Sequence, residues 1–239
     1  MMTFSIRNLK ITAVGADASR ICYILYPFDG LHDWIEGAAV EYGVSIAVVT
    51  GIDWDNALTP WKAKGVPAGS PDFAGEAPEF LRLLREEVMP QTERRLGIEP
   101  DAERTLAGDS LSGLFTLWQW LGCDLFDNII SLSGSFWYEG FVEWVKSVSI
   151  PQKKGRAYFL LGNREALARV PQFRSVQTDT VEIVKYLAAH GISDFFELVP
   201  GNHYQNAIPR LDRAFGWMFG GQSKTPSNEA SSALLSEST

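Results

Sequence analysis

The chain has 239 residues, 46% of them hydrophobic and 21% charged, which is the balance of an ordinary globular protein long enough for one substantial core. Its formal net charge of −8 argues against an electrostatic partnership with nucleic acid or an anionic membrane, both of which favour clustered Lys and Arg. No apolar run approaches the roughly 20 residues of a membrane span, Met1 to Ala13 lack a signal-peptide core, and two cysteines, Cys22 and Cys123, make no disulfide framework. The expectation is a soluble, cytoplasmic protein with buried free thiols.

In chain order, Thr3 to Val14 alternates as antiparallel edge strands would, and Ile21 to Tyr26 is a short continuous apolar strand. The loop Phe28-Asp-Gly-Leu-His-Asp33 follows, with His32 in a loop or substrate-side position. Val44 to Val49 is the next strand, and Asp53-Trp-Asp-Asn-Ala-Leu-Thr-Pro-Trp61 the loop after it. A helix with Pro78 in its first turn and Pro90 at its exit aligns Phe80, Leu84 and Val88 on one face.

Thr105-Leu-Ala-Gly-Asp-Ser-Leu-Ser-Gly-Leu-Phe115 then reads as strand, sharp turn and helix, the strand being Arg104 to Ala107 and the helix carrying Leu114, Leu117, Trp118 and Leu121. That context suits a nucleophile elbow, in which Ser110 is held in a strained turn at a helix N-terminus and the Leu111 N–H is free to stabilise an oxyanion. The fifth position of the usual G-x-S-x-G is Ser112, small enough to preserve the packing, with Gly113 next. A serine-rich helix start is the plain alternative.

Further strands are expected at Ile129 to Leu132, Arg156 to Leu161 and Phe195 to Val199. A helix from Asp179 to about His190 has Thr178 as a candidate cap, Val181, Val184 and Leu187 inward and Gly191 as its stop. The last helix aligns Ile208, Leu211, Phe215 and Met218. Strands interleaved with helices in this way predict an α/β fold with a mostly parallel sheet. The domain is expected to run over residues 1–221, and 222–239, rich in Ser, Thr, Asn and Glu, reads as a disordered tail.

Only three histidines occur. His190 ends an exposed-looking helix. His203, in Pro200-Gly-Asn-His-Tyr204, follows the last strand and precedes the last helix, and an imidazole there can accept and return a proton near neutrality. A triad in the order serine, acid, histidine needs a carboxylate after the penultimate strand. Glu165 is the choice, with Asp179 and Asp194 as fallbacks. The second oxyanion donor is placed at the Leu31 N–H, after the flexible Gly30. Trp54 and Trp61, with Phe136, Trp137 and Tyr138, are candidates to wall an apolar pocket, or else simply pack under long loops. Arg164 is either an anion-binding residue or part of a surface ion pair.

With these residues in place the sequence resembles the esterase branch of the α/β-hydrolases, which includes esterase D-like enzymes, siderophore esterases of the trilactone-hydrolase type and mycolyltransferases. The carriers are Ala107-Gly-Asp-Ser-Leu-Ser-Gly-Leu-Phe115, Ser131-Leu-Ser-Gly-Ser-Phe-Trp-Tyr138, Leu160-Leu-Gly-Asn-Arg-Glu165 and Pro200-Gly-Asn-His-Tyr204, and the likeness spans Ser5 to about Gly220. It implies an α/β-hydrolase fold with helices on both faces of the sheet and no large lid domain. It also implies Ser110 as nucleophile, His203 as base, Glu165 as acid, and donors at Leu111 and near Leu31. The expected substrate is a small-molecule ester, with no metal and no organic cofactor. Asp109 stands where relatives often have His or Tyr, and Ser112 where they have Gly or Ala. A siderophore trilactone, acyl transfer to an alcohol, and a binding protein without turnover remain the alternatives.

Overall fold

The computed structural model describes residues 1–150 and 155–220, so the tail expected at 222–239 lies outside the described residues. Eight strands form one sheet: β1 Met2–Ile6, β2 Leu9–Val14, β3 Arg20–Leu25, β4 Ser45–Thr50, β5 Glu103–Asp109, β6 Asn128–Leu132, β7 Arg156–Gly162 and β8 Ser193–Val199. Their spatial order is β1-β2-β4-β3-β5-β6-β7-β8. The β1–β2 and β2–β4 pairs are antiparallel and all the others parallel, so the edge hairpin expected from Thr3 to Val14 is present.

The central strands are mostly apolar because both faces are covered, and their alternation divides the core in two. In β3, Ile21, Tyr23 and Leu25 point to one side and Cys22 and Ile24 to the other; Ala157, Phe159 and Leu161 are likewise separated from Tyr158 and Leu160 in β7. The helices α1 His32–Tyr42 and α8 Ala207–Phe219 cover the second side. On the first side lie α3 Ala77–Leu83, α4 Met89–Leu96, α5 Leu111–Gly122, α6 Phe141–Ser147 and α7 Val176–Ala189, after the single turn α2 Trp54–Ala57. The largest core side chain, Trp120, is fully buried on α5 and donates its indole N–H to the Asp127 carbonyl at 3.0 Å. Cys22 is buried and Cys123 half-buried, and neither is in a disulfide. Among the described residues no helix is long and apolar enough to cross a membrane.

Two helix boundaries differ from the sequence expectation. Pro90 does not end its helix: the path runs from α3 through a π-helical turn, Leu84–Val88, into α4, and Met89 N–H bonds back to the Leu84 carbonyl. A proline inside an α-helix lacks an N–H and crowds the carbonyl four residues earlier, and the wider turn accommodates it. In α7 the helix begins at Val176, so Thr178 is inside the first turn, its hydroxyl donating to the Ser175 carbonyl at 2.7 Å rather than capping.

The sheet order reverses at β3, which has β4 on one side and β5 on the other. In open α/β sheets the crevice beyond the carboxyl ends of the strands at such a point is the usual place for a ligand. Gly108 determines how closely α5 approaches there. A Cβ on it would lie 2.3 Å from the Ser112 carbonyl oxygen and 2.8 Å from the Gly113 nitrogen, both backbone atoms that cannot swing aside. Gly108→Ala is therefore expected to cost about 1–3 kcal/mol of stability by overpacking. A lowered urea midpoint at unchanged m-value is the corresponding measurement.

Candidate active site

Ser110 joins β5 to α5 with φ 61 and ψ −122, a conformation that costs a non-glycine residue on the order of 1–3 kcal/mol. Backbone bonds hold it there. Its N–H donates to the Leu132 carbonyl at 3.0 Å, and its carbonyl accepts from Ser135 N–H at 3.0 Å and Leu114 N–H at 3.1 Å. Ser112, the departure from the glycine pattern, has a polar role besides being small. Its fully buried hydroxyl accepts from Asp109 N–H at 2.7 Å and lies 3.0 Å from the Leu25 carbonyl at the end of β3 and 2.8 Å from the Asp109 carbonyl, either of which can take its proton.

The Ser110 Oγ lies 3.0 Å from His203 Nε2, and His203 Nδ1 lies 3.0 Å from Glu165 Oε2. Glu165 sits in the short helical turn Glu165–Leu167 just beyond β7. Its other oxygen accepts from Ser133 Oγ at 2.7 Å, Gly162 N–H at 2.7 Å and Arg210 Nη1 at 3.1 Å. Glu165 and Arg210 each have side chains only 3% exposed, so this pair is buried; Arg210 Nε is the guanidinium nitrogen without a hydrogen-bond partner among the described residues. Arg210 also donates to Ser133 Oγ at 2.6 Å and, through Nη2, to the Asn202 carbonyl at 2.8 Å, tying the histidine loop to the acid.

Burial alone would push the Glu165 carboxyl up, but its hydrogen bonds to His203 and Ser133 outweigh this and hold it below the ordinary range. Burial pushes His203 down, and the Glu165 hydrogen bond with the negative charges of Asp109 and Glu165 reverses it, so the imidazole ends above its usual value. Asp109 is the opposite case: burial pushes it up to about 6 against the countering charges of His203 and Arg210.

Around this relay the cleft has two lobes that meet at Ser110, His203 and Tyr204. One, of about 560 Å³, is walled by Tyr26, Phe28 and Trp54 with Asp55 and Asp109. The other, of about 610 Å³, is walled by Trp137, Leu167 and Phe173 with Arg164 and Arg169. The structure thus brings Ser110, His203, Glu165, Leu111, Trp54, Trp137 and Arg164 to one place, and Arg164 reaches Gln205 Oε1 at 3.2 Å.

Four expected residues lie elsewhere, one of them Phe136, buried in the core against Phe141 and Phe159. Leu31 is buried beside Thr12, His32 and Val48 in a separate small cavity, its carbonyl accepting from Ile35 N–H at the start of α1. The chain leaves the sheet earlier than that register assumes: Tyr26 N–H is still bonded to the Val49 carbonyl, Pro27 has no N–H, and Phe28 is the cleft residue whose N–H has no partner among the described residues. Trp61 and Tyr138 pack together away from Ser110. The Trp61 indole donates to the Glu139 carbonyl at 2.9 Å, the Tyr138 hydroxyl donates to the Trp61 carbonyl, and Trp61 lies against Phe141 and Trp144 on α6. The fallback acids are not in the relay either: Asp179 lies on α7, and Asp194 lies near the start of β8, at the opposite end of the strands from His203.

The residues not singled out from sequence are Ser133, Ser135 and Arg210. Ser135 Oγ lies 3.3 Å from Ser110 Oγ. Arg210 had a visible signal, since it falls on the same face of α8 as Leu211 and Ala214 and is a charge among buried apolar positions. Ser133 had none, being one serine of several in its segment, marked in the structure by a φ of 48.

A family model described as "Putative esterase" matches residues 17–218 of this chain. The "Uncharacterized protein YbbA" of Bacillus subtilis (strain 168) is 24% identical over 204 residues, with 81% of each chain covered. Among solved structures, an IroE-like serine hydrolase from Shewanella oneidensis aligns with a TM-score of 0.71 at 17% identity, covering 89% of this chain and 75% of that one. Siderophore hydrolase EstB from Aspergillus nidulans aligns with a TM-score of 0.67 at 18% identity, covering 92% and 96%. These likenesses agree on the α/β-hydrolase fold.

The electrostatics make a pH test. A neutral imidazole is needed to take the Ser110 proton, and His203 is raised, so reactivity of Ser110 toward a fluorophosphonate is expected to fall on acidification with a midpoint above 6.5. Asp109→Asn removes one of the raising charges, and labelling rate against pH is expected to show the midpoint displaced to lower pH. A midpoint at or below 6.5 in the native protein would contradict this reading of the site.

Proposed function

The chain belongs to the Putative esterase family, and from that premise we propose that it is a serine esterase that cleaves a carboxylic ester through an acyl-enzyme on Ser110. The observation that carries the proposal is the series of two 3.0 Å contacts from Ser110 Oγ through His203 to Glu165. His203 Nε2 takes the Ser110 proton as Oγ attacks the ester carbonyl, and the carbonyl oxygen becomes an oxyanion. Collapse expels the alcohol, which receives that proton from His203, and leaves the acyl group on Ser110. Water then attacks the acyl-enzyme, giving its proton to His203, and the acid departs as Ser110 recovers it.

Glu165 remains ionised throughout, orienting the imidazole and stabilising its charged form. The Leu111 N–H at the start of α5 supplies one oxyanion donor, and the Phe28 N–H supplies the second. Each is worth on the order of 3 kcal/mol of barrier reduction. Trp54 and Trp137 line the two sides of the cleft on which the halves of the ester rest. This reaction needs neither metal nor organic cofactor.

A siderophore ester is a second reading of the substrate. Space on both sides of Ser110 supports it, because a bulky chelator needs room beyond the scissile bond in each direction, and EstB carries that activity in its description.

The test is fluorophosphonate labelling with peptide mapping, alongside hydrolysis of short p-nitrophenyl esters and a trilactone. Ser110→Ala is expected to abolish labelling and turnover. His203→Ala should lower turnover by about 10³-fold or more, and Glu165→Gln by about 10²- to 10⁴-fold, each with native circular dichroism. An unlabelled native protein would mean a hydrolase-fold binding protein without turnover.

A further inference from the structure

The lobe beside β3 and α2 has a chemical character that the hydrolytic relay does not require. Asp109 faces it directly after Gly108 and before Ser110; the Ser110 backbone N–H is directed at its carboxylate, and no side-chain donor among the described residues is bonded to it. The charged groups around it are His203, Arg210 and Glu165. Arg210 is already held by Glu165, Ser133 and Asn202, and His203 must be neutral to accept the Ser110 proton. Two carboxylates facing one guanidinium leave a net negative charge at the base of the cleft. Burial pushes the Asp109 carboxyl up to about 6, further than the charges of His203 and Arg210 pull it down.

The walls of the same lobe are aromatic. Tyr26, Phe28, Trp54 and Tyr204 line it; Phe28 and Tyr204 are among the most exposed large side chains of the protein, at 70% and 90%. Tyr26 and Phe28 meet edge to face at 6.4 Å. Asp55, exposed at the first turn of α2, adds a second carboxylate at the rim. Aromatic faces attract cations through their quadrupole, and a weakly hydrated alkylammonium is the cation that gains most from aromatic walls backed by a carboxylate. The other lobe, with Arg164 and Arg169, has the opposite sign, so the cleft distinguishes the two ends of a charged ester.

We propose that the Asp109 lobe is a subsite for an organic ammonium group and that the natural ester carries such a group on one of its two halves. This deepens the esterase reading and rests on it for the word ester, but the subsite itself makes a prediction that does not depend on turnover. Asp109 is the specificity residue, its charge meeting the ammonium while Trp54 and Tyr26 offer their faces to the alkyl substituents.

The probe pair is acetylthiocholine and 3,3-dimethylbutyl thioacetate, which differ in replacing a quaternary nitrogen by carbon. The native enzyme is expected to favour the cation by about tenfold or more in kcat/KM. Asp109→Asn should bring the ratio to within about twofold of unity and Asp55→Asn should lower it by a smaller factor. A native ratio near one, or a ratio unchanged by Asp109→Asn, overturns the proposal; a loss of rate on both esters in equal measure would be a general effect on Ser110 and also overturns it. Binding of phenyltrimethylammonium to Ser110→Ala by calorimetry separates this from the esterase reading. If neither ester is hydrolysed but the cation binds and adding Asp109→Asn weakens it about tenfold, the subsite stands and the esterase reading falls. If the cation does not bind, the subsite falls whatever the esters show.

Discussion

A carboxylate buried among donors is the contact on which the rest of the site depends. Glu165 comes from the end of β7, His203 from the loop after β8, Ser133 from the end of β6 and Arg210 from α8, so four separate segments converge on two oxygens. A buried ion is expensive unless its lone pairs are filled, and here Gly162, Ser133 and Arg210 fill one oxygen and His203 the other. Because the pairing also fixes the imidazole, the same desolvated cluster that stabilises the loops at the strand ends sets the direction in which His203 faces Ser110. Arg210 extends this to the chain after β8 through the Asn202 carbonyl.

The electrostatic balance of that cluster is not neutral. Glu165 and Arg210 offset one another, and Asp109 then raises the basicity of His203 from the strand that carries the nucleophile. A stronger base favours proton removal from Ser110, while a negative charge next to the elbow opposes the oxyanion that follows. In the proposed reaction, the Leu111 and Phe28 N–H groups would therefore act against a more negative field than they would beside an uncharged residue. An arrangement that carries such a conflict gains from a positively charged group brought in from outside.

The parts legible in the sequence were those written in local pattern. Short, mostly apolar runs mark β3 to β8 because both sheet faces are covered, and alternation marks β1 and β2 at the edge. The order of Ser110, Glu165 and His203 followed from the rule that the strand ends of this fold meet in one crevice. Side-chain direction and backbone register were less legible. Counting from Gly30 points to Leu31, whereas the pairing of Tyr26 with Val49 decides where the chain leaves the sheet. Trp61 and Tyr138 are aromatic residues in segments close to the cleft, and only the packing of Trp61 between Tyr138 and α6 shows that they support the loop instead of lining the site. Pro90 looked like a stop because the local rule for proline is strong, and a π-helical turn satisfies that rule while the helix continues.

The Ser112 hydroxyl connects two backbones that no other side chain described above joins, the last residue of β3 and the last of β5. The first of these leads into the loop that carries Phe28, and the second into Ser110. One oxygen atom thus acts as a gauge between Ser110 and the far wall of the pocket, setting the gap in which, in the proposed reaction, a planar carbonyl would become tetrahedral. With glycine in that position, the width of the gap would be left to contacts made farther out in the loop, where the chain has more freedom to drift.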